Sequence, residues 1–191
     1  MRMSEPPPSR TTQPAASRLT QPPAPRPPPR VVVATVGRAN LKEDCAKIVI
    51  DGLAAAKFTF VRSVTVTRER QFIQQLVLNV ANANEADAII LIGGVGLGPR
   101  DVTCEAVHEL ADRRVEGFGE AYRLLLRDAV AVGVEALLER ATAVVYNKCV
   151  VIALPQQPAP LRRAVQDLVV PTLSQAVLAA EGLTLAQLAG A

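Results

Sequence analysis

The 191-residue chain has no tryptophan, one histidine, three cysteines and few aromatic residues of any kind. Cys45, Cys104 and Cys149 are odd in number and widely spaced, with no C-x-x-C pair or His–Cys cluster. Neither a disulfide framework nor a zinc site is indicated, and a reducing, cytoplasmic location is expected. His108 falls in a helix-like stretch, where a surface or packing role is expected rather than catalysis. No apolar run is long enough to span a bilayer. The first residues lack the apolar core of a secretory signal. With so few rings, the 49% of residues that are hydrophobic must pack through Val, Leu, Ala and Ile. Such a core suits a parallel sheet covered by helices.

Residues 1–30 differ from the rest. They are dense in Pro, Ser, Thr, Gln and Arg and have no apolar periodicity. Such a composition buries too little surface to offset chain entropy, so a disordered or polyproline-like tail is expected. Five arginines (Arg2, Arg10, Arg18, Arg26, Arg30) stand against Glu5, a balance of +4. The whole chain is +3, which leaves about −1 for the remainder, so the basic character belongs to the tail. A solvated linker or a contact with a protein partner fits this segment; neither a membrane nor a specific nucleic acid is expected. The folded domain is expected over 31–182, with a short C-terminal tail at 183–191.

Strands are expected at Val31–Val36, at Phe58–Val66 by alternation, and at Ala88–Ile92 as a continuous apolar run. Helical spacing covers Asp44–Ala56 and Glu69–Asn82. Strand and helix therefore alternate, which predicts a parallel sheet with right-handed crossovers. Ala141–Val145 and Cys149–Ala153 flank Tyr146-Asn147-Lys148 and read as a tight hairpin. A long helix over Leu161–Glu181 should kink or break at Pro171.

The most informative segment follows the third strand: Gly93-Gly94-Val95-Gly96-Leu97-Gly98-Pro99-Arg100-Asp101, then a helix start at Val102-Thr103-Cys104-Glu105. A strand, a glycine-dense turn and a helix N-terminus can form an anion pocket, because glycine admits close backbone approach and the helix end carries partial positive charge. The same pattern also serves as a plain turn. Asp101 can hold Mg²⁺ or cap the helix. Arg100 can grip a phosphate or form an exposed salt bridge. Glu105 follows Asp101 by one helical turn and should face the same mouth. Glu120 can reach a ligand or pair with Arg123.

Together, GGVGLGPRDVTCEA (93–106) and EGFGEAYR (116–123) resemble the MoaB/Mog family of molybdopterin-binding proteins over about Val31 to Ala179. That family shows a Gly-Gly-Thr-Gly loop ending in Arg-Asp-Val-Thr, then Pro-Gly-Phe-Gly-Glu. The resemblance implies a three-layer α/β/α sandwich with a mostly parallel sheet, assembled as a homotrimer or hexamer. It implies transfer of AMP from Mg-ATP to molybdopterin, with Asp101 as the catalytic and Mg²⁺-holding residue. Gly93, Gly94, Gly96, Arg100, Glu105 and Glu120 would bind the cofactors, molybdopterin and ATP.

The chain departs from the family at the expected mouth. Arg68 stands at an acidic position, Val95 replaces the loop's hydroxyl residue, and Glu139 replaces a serine. Gln156 replaces a glycine, where positive φ or close ligand approach would now be penalised. These changes raise an alternative of another class: a non-catalytic paralogue acting as an oligomeric binding or scaffold protein. A third reading keeps the pocket for a different, more anionic ligand.

Overall fold

The computed structural model describes residues 27–38, 44–127 and 138–183. Most of the tail (1–26), residues 39–43 and the last residues (184–191) lie outside the described residues, and with them the expectations for those segments. Six strands form one sheet: β1 (Arg30–Val36), β2 (Thr59–Val66), β3 (Ala88–Ile92), β4 (Arg113–Arg114), β5 (Thr142–Tyr146) and β6 (Cys149–Leu154). Their order is β2-β1-β3-β6-β5-β4. The β2-β1-β3-β6 part is parallel, while β5 runs antiparallel to both β6 and β4. The helices are α1 (Cys45–Ala55), α2 (Arg70–Asn82), α3 (Thr103–Leu110), α4 (Phe118–Arg127), α5 (Pro158–Ala164) and α6 (Val170–Ala180).

The apolar pattern divides cleanly between two faces. Val31, Val33, Ile90, Ile92 and Ile152 pack against α1, α4, α5 and α6. Val32, Ala34, Ile89, Leu91 and Val151 pack against α2 and α3. Both sides of the central strands are therefore dry, as expected for parallel strands under two helical layers. The three-layer sandwich implied by the sequence is the observed architecture.

Local departures have physical causes. At the β2 edge the register with β1 slips between Val31 and Val32, so that Val61 is skipped. The bulge changes the phase of the side chains, and Phe58 packs on the α1 face while Val64 and Val66 pack on the other. Asn147 and Lys148 both take positive φ, 44° and 67°, the requirement of a two-residue hairpin turn matched to strand twist. The last helical stretch begins at Pro158, three residues before Leu161, because proline is suited to a first helical turn. Its expected break is a π-helical turn at Val165–Val169, directly before Pro171. The wider turn makes room for a proline ring that cannot continue the ladder. β4 was not expected, since two exposed arginines carry no apolar signal.

Arg30, grouped with the tail by composition, opens β1 and is tied into the fold. Its Nη2 lies 2.8 Å from Asp87 Oδ1, and its backbone N–H donates to Asp87 Oδ2 at 2.8 Å. Burial pushes the Asp87 carboxyl up, but the side-chain and backbone donors of Arg30 outweigh it and hold the carboxyl below its ordinary range. A depressed carboxyl contributes stability above its unfolded value and loses it as pH falls through the folded value. Arg30→Met should therefore destabilise the fold by about 1–2 kcal/mol at neutral pH. The gap to the wild type should shrink below about pH 4, measured by urea unfolding across pH.

Candidate functional site

β1 is followed on one side by β2 and on the other by β3, and α1 and α2 cover opposite faces. The crevice beyond the C-terminal ends of β1 and β3 is thus the topological switch point, the usual ligand seat of an open α/β sheet. Two turns border it: Gly37 after β1 and the glycine turn after β3.

Gly93 and Gly94 take φ of +105° and +69°, a region costly for other residues. Their open sides face the protein itself. A Cβ at Gly94 would meet Thr103 Oγ1 at 2.3 Å, and one at Gly96 would meet Asp101 Oδ2 at 2.7 Å. The turn is stitched inward as well. Gly93 N–H donates to Leu154 O at 2.8 Å, joining the turn to the end of β6. The buried Thr103 hydroxyl donates to Gly93 O at 2.8 Å, and Thr103 N–H donates to Gly94 O at 3.0 Å. The glycines are thus explained by the turn's own packing as well as by any ligand. Val95, in place of the hydroxyl residue, is buried in the α2/α3 core.

Arg140 is the main tie of this region, a role that no local sequence pattern signals. Its backbone N–H donates to Val95 O at 2.8 Å, Nε donates to Gly96 O at 3.0 Å, and Nη2 donates to Asp101 O at 2.7 Å. Its guanidinium also forms an ion pair with Glu105. That bond holds the Glu105 carboxyl below its ordinary range against the opposing effect of burial. Glu105 is therefore engaged in holding Arg140.

Asp101 stands at the mouth. Its Oδ2 accepts from Gly98 N–H at 3.2 Å, and its Oδ1 lies 3.6 Å from Arg68 Nη1. Arg68 reaches it by lying across Gly37, where a Cβ would meet Arg68 Nε at 2.5 Å. Asp101 does not cap α3: the cap position is Val102, with no side-chain cap bond. Arg100 is exposed on the turn, without an ion pair among the described residues. Glu120 pairs with Arg123 at 3.0 Å. It lines a hollow of about 220 Å³ with Glu105, His108 and Arg140, beside the mouth where Asp101 lies. The structure therefore gathers Gly93, Gly94, Gly96, Arg100 and Asp101 on one turn, and sets Glu105 and Glu120 in the neighbouring hollow.

Two departures from the family pattern resolve locally. Gln156 does not adopt positive φ, so the expected strain does not arise. Its Nε2 donates to Arg38 O at 2.8 Å, and its Oε1 covers Gly93. Glu139 is buried and accepts from Tyr122 Oη at 2.5 Å. Burial first, and Glu139 second, push the Tyr122 hydroxyl far up. His108 meets Thr142 Oγ1 at 2.8 Å, and burial lowers its pKa. Cys104 is pushed up to about 11, chiefly by burial, and is not a ready nucleophile.

The residues present do not fit a Mg²⁺ ion well. Among the described residues no group of three His, Cys, Asp or Glu could hold a metal. Both oxygens of Asp101 already face donors, one of them a guanidinium. A divalent ion about 4 Å from that guanidinium would be repelled by roughly 2 kcal/mol even in bulk-water dielectric.

A family model described as a probable molybdopterin binding domain matches residues 32–175. The chain belongs to this family. Molybdenum cofactor biosynthesis protein B of Bacillus subtilis is 30% identical over 148 residues, covering 78% of this chain and 86% of that protein. The Staphylococcus epidermidis protein of the same name is 41% identical over 103 residues, covering 54% of this chain and 58% of that protein. Among solved structures, a molybdenum cofactor biosynthesis protein B superposes with a TM-score of 0.74 at 27% identity, covering 84% of this chain and 99% of that one. MoaB/Mog membership therefore agrees with the sandwich and with the glycine turn at its switch point. Among the described residues no helix is long and apolar enough to cross a membrane.

If Arg140 ties the turn together, Arg140→Met should cost about 1.5–3 kcal/mol by denaturant unfolding. Hydrogen exchange should quicken first in residues 93–101.

Proposed function

We propose that the protein binds molybdopterin in the biosynthesis of the molybdenum cofactor, at the crevice between the ends of β1 and β3. The observation that carries this reading is the glycine turn at the switch point, next to the N-terminus of α3, whose cap residue Val102 makes no side-chain bond. Molybdopterin carries a phosphate, and a helix N-terminus with arginines beside it suits that anion. Arg68 and Arg100 supply cations on two sides, and the turn supplies a rigid floor. The homotrimer implied by the resemblance belongs to the same reading.

Transfer of AMP from Mg-ATP is the finer activity that the resemblance implies. Asp101 would be the metal-holding residue, and positioning with charge neutralisation would supply the chemistry. The contact between Arg68 and Asp101 favours the second reading, binding without transfer, because the carboxylate is already offset by a fixed cation.

Calorimetric titration with molybdopterin, followed by addition of Mg-ATP, separates these readings. Molybdopterin binding without pyrophosphate release is the expected result. Release that disappears in Asp101→Asn would assign the transferase instead. Absence of molybdopterin binding would remove the cofactor-biosynthesis reading and turn attention to protein partners.

A further inference from the structure

We infer that Arg68 is the built-in cation of the switch-point crevice, and that the crevice binds a phosphate or pyrophosphate group without a divalent metal. The inference rests on the reading above only in placing the ligand at this crevice.

Three observations carry it. First, the position of Arg68 is set by backbone: its side chain lies across Gly37, whose φ of +87° and missing Cβ leave the space it fills. Second, it points at Asp101 from 3.6 Å, while Gly98 N–H takes the other carboxylate oxygen. Asp101 thus orients the guanidinium, as a metal-holding carboxylate would orient a metal. Third, among the described residues no other acid stands ready to gather a metal there: Asp44 caps α1, accepting from the N–H groups of Ala46 and Lys47. Glu69 faces Gln71 at 3.4 Å and Glu105 is held by Arg140. Arg38 and Arg100, on the segments bordering the crevice, are exposed, so these three arginines outnumber Asp101.

The separation from Asp101 matters as much as the charge. A 3.6 Å contact with 41% of the Arg68 side chain exposed leaves donors of the guanidinium fork unused. Those donors can grip two oxygens of one phosphate, which a lysine or a hydrated metal does less specifically. A metal-dependent site gains affinity when Mg²⁺ is added. Here Mg²⁺ would meet a resident positive charge and would also draw the anion into solution.

The test is titration of the full chain with inorganic pyrophosphate, in EDTA and in excess Mg²⁺. The wild type and Arg68→Glu are compared, with circular dichroism to confirm that both are folded. The wild type should bind in EDTA and bind no more tightly with Mg²⁺. Arg68→Glu should lose at least about tenfold in EDTA, the effect of reversing one charge beside a multiply charged anion. It should recover part of that loss when Mg²⁺ is added. A wild type that binds only with Mg²⁺, a wild type that binds under neither condition, or an Arg68→Glu chain that binds like the wild type in EDTA would overturn the inference. Its failure is separable from failure of the molybdopterin reading. Pyrophosphate binding through Arg68 with no molybdopterin affinity keeps this inference and removes that reading. Molybdopterin binding with pyrophosphate indifferent to Arg68 does the reverse.

Discussion

Arg140 holds the functional end of the molecule in one piece. It sits just before β5, yet its backbone and guanidinium reach the carbonyls of Val95, Gly96 and Asp101, and it is paired with Glu105 in the first turn of α3. Carbonyls near the end of a strand and the start of a helix point in several directions. A planar guanidinium with five donors can satisfy more of them from one side chain than a lysine can. Through this tie the antiparallel half of the sheet fixes the turn that closes the parallel half. Gly93 N–H and Leu154 O make a second join, from the turn to the end of β6. The crevice is therefore a consequence of sheet topology plus two internal ties, and its shape does not wait for a ligand.

That arrangement accounts for how the mouth can change while the fold stays. Thr103, Val95, Ile92 and Tyr122 are buried, and their packing would be felt through the core. Arg68, Arg100 and Arg38 are exposed, and altering them leaves that packing untouched. The family likeness is carried by the sheet and the turn. The charges at the crevice are carried by exposed residues that can vary without disturbing that frame. In this chain one side of the mouth is an arginine facing Asp101, and the electrostatics of the site follow from that pair.

The parallel strands and their crossing helices were legible because each is long enough to show its period. Ile89 to Ile92 read as a strand buried on both faces, and they are. Alternation in β2 was legible too, but the bulge at Val61 was not, since a bulge changes which face a residue meets without changing residue type. β4 left no trace, because Arg113 and Arg114, which pair with β5, are exposed and carry no apolar pattern. In the site, the spacing of Asp101 and Glu105 was visible, whereas the partner of Glu105 lies 35 residues away and follows no local pattern. Gln156 illustrates the opposite error. A lost glycine suggested strain, yet the backbone there does not enter the left-handed region.

Glu139 extends the same point to burial. Read from the sequence, Glu139 is a glutamate in place of a serine at the expected mouth. In the fold it is turned inward, beneath the surface, where the hydroxyl of the wholly buried Tyr122 donates to it. A buried carboxylate without donors would be costly, and a tyrosine from α4 supplies one. The EGFGEAYR segment thus contributes Phe118 and Tyr122 to the core, while Glu120 and Arg123 pair with each other at the neighbouring hollow. A motif that resembles a binding element can work chiefly as a support, and the distinction depends on which way its side chains turn. For this chain, the support and the opening are set by different residues. Arg68 and Asp101 face each other at the opening, whereas Glu139 is buried against Tyr122 of α4.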